Sequence, residues 1–174
     1  MNTNKTITAT FSSSAATPPS ITITNPVAGA VFIAPVNIPI SASAATGSVA
    51  LASVTFYGGA SLLGTVTNPP YAFTWTNAPI GTNILTAIAV DNSSLSATSA
   101  PVSITVLPST PQVALTSPTN GNVFTTPANI LVSAIASDAD NALARVEFYA
   151  QAATNNAQPF LLSALTNLPY TFNW

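Results

Sequence analysis

Apolar and polar residues alternate along most of this chain, with every second residue apolar over several short stretches. The clearest examples are residues 38–44, 54–56, 71–75 and 130–136. A period of two places successive side chains on opposite faces of a β-strand, whereas a helix has a period of about 3.6. No segment shows a sustained helical period, so the pattern predicts an all-β protein.

The predicted strands are short, and turn-forming residues separate them. Pairs such as Asn25-Pro26 and Asp91-Asn92 recur at intervals of about 8–12 residues. Strands are predicted near residues 20–24, 36–44, 50–57, 61–67, 71–76, 83–90 and 101–107. Short strands at this spacing favour an antiparallel β-sandwich.

The sequence contains an internal repeat. Residues 21–57 align without gaps with residues 113–149, and residues 62–75 align with residues 161–174. The second copy therefore contains a short insertion within residues 150–159, a polar stretch that suits a hairpin loop. Repetition at this length indicates two successive domains of the same fold.

Three segments of the first copy, residues 21–32, 52–75 and 81–106, resemble the bacterial immunoglobulin-like (Ig-like) domains. The features that carry the resemblance are the Val-x-Phe-Tyr strand, the Pro-Tyr-x-Phe-x-Trp strand and the Asp-Asn turn. Domains of this family occur in tandem arrays on secreted and cell-surface proteins. The resemblance implies two tandem Ig-like antiparallel β-sandwiches, an extracellular or cell-surface location of bacterial type, and no catalytic residues.

The repeat and the resemblance together predict the domain boundaries. Residues 1–18 form an N-terminal strand and linker, residues 19–108 a complete Ig-like domain, and residues 109–174 an incomplete one. The second domain is incomplete because counterparts of the strands near 83–90 and 101–107 do not follow its last strand. A sandwich that lacks its last strands has an open edge, which is a template for another strand.

Charge is scarce in this chain, and its scarcity excludes most chemical functions. Charged residues are 3% of the 174, with two basic and four acidic side chains, no His and no Cys. Without His or Cys, the common nucleophile systems, zinc sites and disulfides are excluded. Two basic side chains are too few to bind the phosphate backbone of a nucleic acid. No apolar run approaches the roughly 20 residues of a membrane span. The sequence therefore predicts no enzyme and no cofactor.

The N-terminal segment carries a spare strand. Ile7, Ala9 and Phe11 alternate with threonines, and they align loosely with the strand near 83–90. In one interpretation, this donor strand of one subunit completes the open sandwich of its neighbour, and repeated contacts of this kind make a filament of identical copies. The acceptor groove would then be lined by Val146, Phe148, Phe172 and Trp174.

Two other interpretations remain open. In one, the chain is a segment excised from a longer tandem-Ig stalk or adhesin, and residues 5–11 are the tail of a preceding module. In the other, the chain is a carbohydrate-binding accessory module of a secreted protein, with the aromatic stripes at 71–75 and 170–174 as the sugar platform. The same stripes recur in both copies at strand period, which is also what a core position requires.

Asp138 and Asp140 are the weak candidates for metal ligands. Together with Asn141 they lie in the turn between the second and third strands of the second copy, and oxygen-rich loops can hold calcium. The aligned turn of the first copy has no carboxylate, so an ordinary turn, in which these side chains bind local backbone groups, is expected. Arg145 and Glu147 lie on one strand face and are expected to form a solvated ion pair.

Overall fold

The computed structural model describes Thr8, residues 15–153 and residues 157–174. Within these ranges the chain forms fourteen β-strands and no helix, which confirms the predicted all-β fold. The chain divides into two compact units. Most of the first unit is Asn37–Thr105 and most of the second is Val106–Trp174, and the division falls inside two strands of the first sandwich, so that Phe32–Val36 and residues 106–107 are grouped with the second unit.

Two sheets form the first sandwich. Its strands are β1 (Ser20–Asn25), β2 (Val31–Ile33), β3 (Ile38–Ala45), β4 (Leu51–Gly58), β5 (Ser61–Val66), β6 (Ala72–Trp75), β7 (Gly81–Asp91), β8 (Ser96–Thr98) and β9 (Val102–Leu107). One sheet has the order β1-β3-β6, and the other has the order β2-β9-β7-β4-β5, with β8 paired to β7. The pairs β1–β3, β3–β6, β4–β5 and β4–β7 are antiparallel, as predicted.

The core of the first sandwich consists of residues that the alternation places on the inward strand faces. Its fully buried apolar side chains include Ile38, Ile40, Val54, Phe56, Leu85, Ile104 and Val106. Phe56 of β4 stacks on Phe73 of β6 across the two sheets, with ring centroids 6.3 Å apart and planes inclined by 18°. Full burial of such a side chain contributes about 1.5–3 kcal/mol, so the alternation determines which strand faces form the core.

The second sandwich has fewer strands. They are β10 (Gln112–Ser117), β11 (Leu131–Ser137), β12 (Val146–Ala150), β13 (Phe160–Leu165) and β14 (Thr171–Asn173). One sheet has the order β10-β11-β14, and β12 and β13 form a separate hairpin. A small core is formed by Val132, Ala134, Val146, Phe148 and Tyr170.

The strand register confirms the internal repeat. In the first sandwich Ile40 pairs with Phe73, and in the second the aligned Val132 pairs with the aligned Phe172. The β4–β5 and β12–β13 hairpins also share a register shift at the same aligned position. The insertion lies between β12 and β13, as predicted, and it includes residues 154–156, which lie outside the described ranges.

Among the described residues, four strands of the first sandwich have no counterpart in the second, whereas the sequence predicted that two would be missing. The described residues contain no equivalent of β7, β8 or β9. Residues 123–125, which align with β2, do not form a strand either. In the first sandwich β2 is hydrogen-bonded to β9, and the described part of the second sandwich contains no such partner for the aligned segment. The alternation of apolar and polar residues did not predict β2 or β8, because each strand is only three residues long and shows too few alternating positions.

Candidate functional site

Among the described residues, no strand pairs with the edge of β12 that faces away from β13, and this edge is called the free edge below. In the first sandwich, β4 pairs with β5 on one side and with β7 on the other. The ladder between β4 and β7 runs from Leu51 opposite Asp91 to Gly58 opposite Leu85. Within the described ranges, β12 pairs with β13 alone. The edge that β7 covers in the first sandwich is therefore available to another strand in the second.

An apolar groove lies beside this free edge. Its volume is about 330 Å³, and its lining includes Val113, Leu115, Val132, Val146, Phe148 and Trp174. Leu115 of β10 is 58% exposed, whereas the aligned Ile23 of β1 is only 7% exposed. Because β1 packs against β7 in the first sandwich, the groove corresponds to the space that β7 occupies there.

The structure brings together three of the four residues predicted for the acceptor groove. Val146, Phe148 and Trp174 line the groove, and Trp174 is 51% exposed. Phe172 is not among the lining residues, because its ring packs edge-on against Phe148 with the centroids 5.1 Å apart. Outside the described residues lie the predicted donor residues Ile7, Ala9 and Phe11.

Sequence reasoning missed the contribution of β10 to the groove. Val113 and Leu115 both line it and are both exposed. The repeat could have indicated that Leu115 faces the groove, because Leu115 aligns with Ile23, an apolar residue on the inward face of β1. An inward residue of a sandwich needs cover from the opposite sheet, so the absence of the β7 counterpart leaves this position open.

Charged side chains occupy the outer face of β12. Arg145 Nε donates to Glu147 Oε1 at 2.6 Å, and Tyr149 Oη donates to Glu147 Oε2 at 2.9 Å. The hydrogen bond from Arg145 lowers the pKa of Glu147, and the same bond raises the pKa of the Arg145 guanidinium. The bond to the carboxylate raises the pKa of the Tyr149 phenol. The expected ion pair is thus formed, and it lies in solvent on the strand that has the free edge.

The metal-ligand candidates Asp138 and Asp140 bind the segment that precedes β10. The backbone N–H of Ser109 donates to Asp140 Oδ2 at 2.8 Å, and the Ser109 hydroxyl donates to Asp138 Oδ1. The backbone N–H of Ala142 donates to Asp140 Oδ1 at 3.2 Å. The Ser109 backbone bond is the main cause that holds the pKa of Asp140 below its ordinary value. Within the described ranges, no three Asp, Glu, His or Cys side chains form a group that could hold a metal ion.

The aromatic stripes contribute to the cores of both sandwiches. In the first, the Phe73 ring lies so close to Gly64 that a Cβ there would be 2.6 Å from the ring Cδ2. In the second, Tyr170 is buried and Phe172 is half-buried. The exposed member of the stripe is Trp174, which lies at the groove.

The segments that form the two sandwiches both match one protein family. A model of the bacterial Ig domain matches residues 19–110 and, a second time, residues 111–174. The chain belongs to the bacterial Ig domain family. The resemblance noted in the sequence is thereby confirmed, and the two copies of the repeat are two tandem Ig domains.

The tandem Ig domains are also similar to one described set of solved modules. These are the fibronectin(III)-like modules of Clostridium thermocellum CbhA, which share 29% identity over 89% of this chain and 78% of that chain, with a TM-score of 0.49. No curated protein matches the chain. Within the described parts of the Ig domains, no helix is long and apolar enough to cross a membrane.

Proposed function

We propose that this chain is a non-catalytic structural module of a secreted or cell-surface protein, and that copies of it join head to tail by strand addition. The family supports the first half of the proposal, because bacterial Ig domains are typically structural modules of such proteins. The composition supports it as well, since the chain has no His, no Cys and few carboxylates with which to build a catalytic site.

The free edge of β12 beside its apolar groove is the observation that carries the second half. In the first Ig domain, β7 pairs with the same edge and buries Leu85, Ala87 and Ala89 beneath it. A strand added to β12 would likewise form main-chain hydrogen bonds with the edge and bury its inward side chains in the groove. Main-chain hydrogen bonds along an edge supply affinity, and alternate side chains in the groove supply specificity.

The donor that we propose is residues 5–11 of a neighbouring copy. Ile7, Ala9 and Phe11 give this segment one apolar face, as a strand that covers a groove requires. Donor and acceptor are different surfaces of the same chain, so the contact is heterologous. A heterologous contact that does not close into a ring produces a filament.

Deletion of residues 1–12 tests this assembly. We expect the intact chain to form polymers that are visible by electron microscopy and elute early in size-exclusion chromatography, and the deleted chain to be monomeric. The matched control replaces Thr6, Thr8 and Thr10 by serine, which alters only the polar face of the donor and is expected to leave the polymers intact. Polymers that persist in the deleted chain refute the proposed donor. A monomeric intact chain refutes head-to-tail assembly and favours a segment of a stalk.

A further inference from the structure

We infer that the groove selects its strand by the sizes of the inward side chains, in the order large, small, small. The inference rests on the proposed strand addition and adds the chemistry of the partner. The selected strand runs antiparallel to β12. It carries a leucine-sized residue opposite Ala150 and alanine-sized residues opposite Phe148 and Val146.

The first Ig domain contains the complete version of this arrangement. There, Leu85 of β7 lies opposite Gly58, and Ala87 lies opposite Phe56. All of the inward residues of β7 in this stretch are at most 1% exposed. Large residues on one strand thus face small residues on the other, because a close-packed interior leaves no room for two large residues at one position.

The second Ig domain keeps the same order of sizes along β12. Val146 and Phe148 stand where the first domain has valine and phenylalanine, and Ala150 adds a single methyl group where the first has glycine. The register of β12 with β13 repeats that of β4 with β5. Val146 and Phe148 are each only 6% exposed although the groove is open. The space beside Phe148 therefore suits a small side chain, whereas a second aromatic ring would overpack it.

The proposed donor satisfies two of the three positions. When it is aligned with β7, Ile7 lies opposite Ala150, Ala9 opposite Phe148, and Phe11 opposite Val146. Phe11 is the one residue that violates the order. We therefore expect Phe11→Ala to strengthen assembly at least about tenfold and Ala9→Phe to abolish it, both measured as the critical concentration for polymer formation.

The selection of a strand by the groove can also be measured in a chain that lacks the proposed N-terminal donor. Residues 1–12 are deleted, and a second copy of residues 76–107, which carry β7 to β9, is appended after Trp174. We expect the amides of β12 to exchange at least about tenfold more slowly than in the same chain without the appended copy. Ala87→Phe in the appended copy should remove this protection, and Thr86→Phe, on the opposite face of the strand, should retain it. Unchanged exchange in the first Ig domain verifies that each chain is folded.

Equal protection by the Ala87→Phe and Thr86→Phe copies would overturn the size selection, and so would an unmodified copy that gives no protection. The appended chain reports on the groove even if the intact protein forms no polymer. Failure of head-to-tail assembly appears in the deletion experiment, and failure of the size selection appears in the exchange experiment, so the two are distinguishable.

Discussion

The contact between Gly64 and Phe73 in the first Ig domain leads to a prediction about core packing. Gly64 lies on β5 opposite Phe56. A Cβ at Gly64 would lie 2.6 Å from Phe73 Cδ2 and 3.0 Å from its Cζ. The first of these distances is shorter than Cβ atoms in proteins essentially ever show to a non-bonded atom. The ring cannot keep its stacked position on Phe56 if residue 64 acquires a side chain.

We expect Gly64→Ala to destabilise the first Ig domain by about 1–2 kcal/mol. Overpacking of a core costs about 1–3 kcal/mol, and the loss of glycine's freedom in the unfolded chain returns about 0.4–1 kcal/mol. The second domain shows the alternative ring position, because Ser163 aligns with Gly64 there and Phe172 meets Phe148 at 67° instead of stacking. In the variant, Phe73 is expected to tilt in the same way.

Native-state hydrogen exchange of the β4 amides measures this change, because it reports on the first domain separately from the second. The matched control is Ser163→Ala in the second domain, measured by exchange of the β12 amides, which changes a position that already holds a side chain and should alter stability by less than about 0.5 kcal/mol. A Gly64→Ala chain as stable as the parent, or more stable, would contradict the packing argument. So would a Phe73 ring that remains stacked on Phe56 in the variant.

Two further predictions concern carboxylates. Asp91 is 2% exposed, and its Oδ1 accepts the backbone N–H of Ser93 at 2.8 Å and that of Leu95 at 2.9 Å. Asp91→Ala should therefore lower the free energy of unfolding, measured in urea, by about 2–3 kcal/mol. Asp91→Asn should lower it clearly less, because the amide oxygen can still accept both bonds. Arg145 lowers the pKa of Glu147 from 4.5, so the pair stabilises the fold above about pH 4.5 and loses this contribution as the pH falls through the lowered pKa. NMR titration should show the Glu147 pKa rise in Arg145→Ala, and an unchanged pKa would contradict the assignment.

Period-two alternation predicted the long strands of the first domain but not its short ones. Strands such as β4 and β7 carry enough alternating residues to indicate their inward faces without reference to the rest of the fold. The pair Val31-Phe32 lies in β2, whereas the identical pair Val123-Phe124 is not in a strand. The same dipeptide has two conformations because the first has β9 as a partner, whereas the described residues offer the second no such strand. Local sequence cannot encode a strand that depends on a distant partner.

The candidate site could be predicted in part from the repeat. Val146 and Phe148 both line the groove, and the repeat pointed to them because the aligned residues of the first copy alternate on an inward face. Phe172, which was also predicted for the groove, packs its ring edge-on against Phe148, and this ring position accompanies Ser163 on the preceding strand, where the first domain has glycine. Leu115 was overlooked because its exposure reflects missing cover on the opposite sheet.

The dependence of β2 on β9 has a consequence for how the first Ig domain is made. During synthesis β2 leaves the ribosome early, yet it cannot pair until Val102–Leu107 have emerged, and the long loop between them must close first. Before β7 (Gly81–Asp91) has emerged as well, the nascent first domain has the strand inventory of the second: two small sheets and an uncovered edge. The second domain thus resembles the biosynthetic intermediate of the first in which β7 has not yet emerged. On a ribosome, such an intermediate is exposed to the same kind of strand addition that we propose for the finished chain.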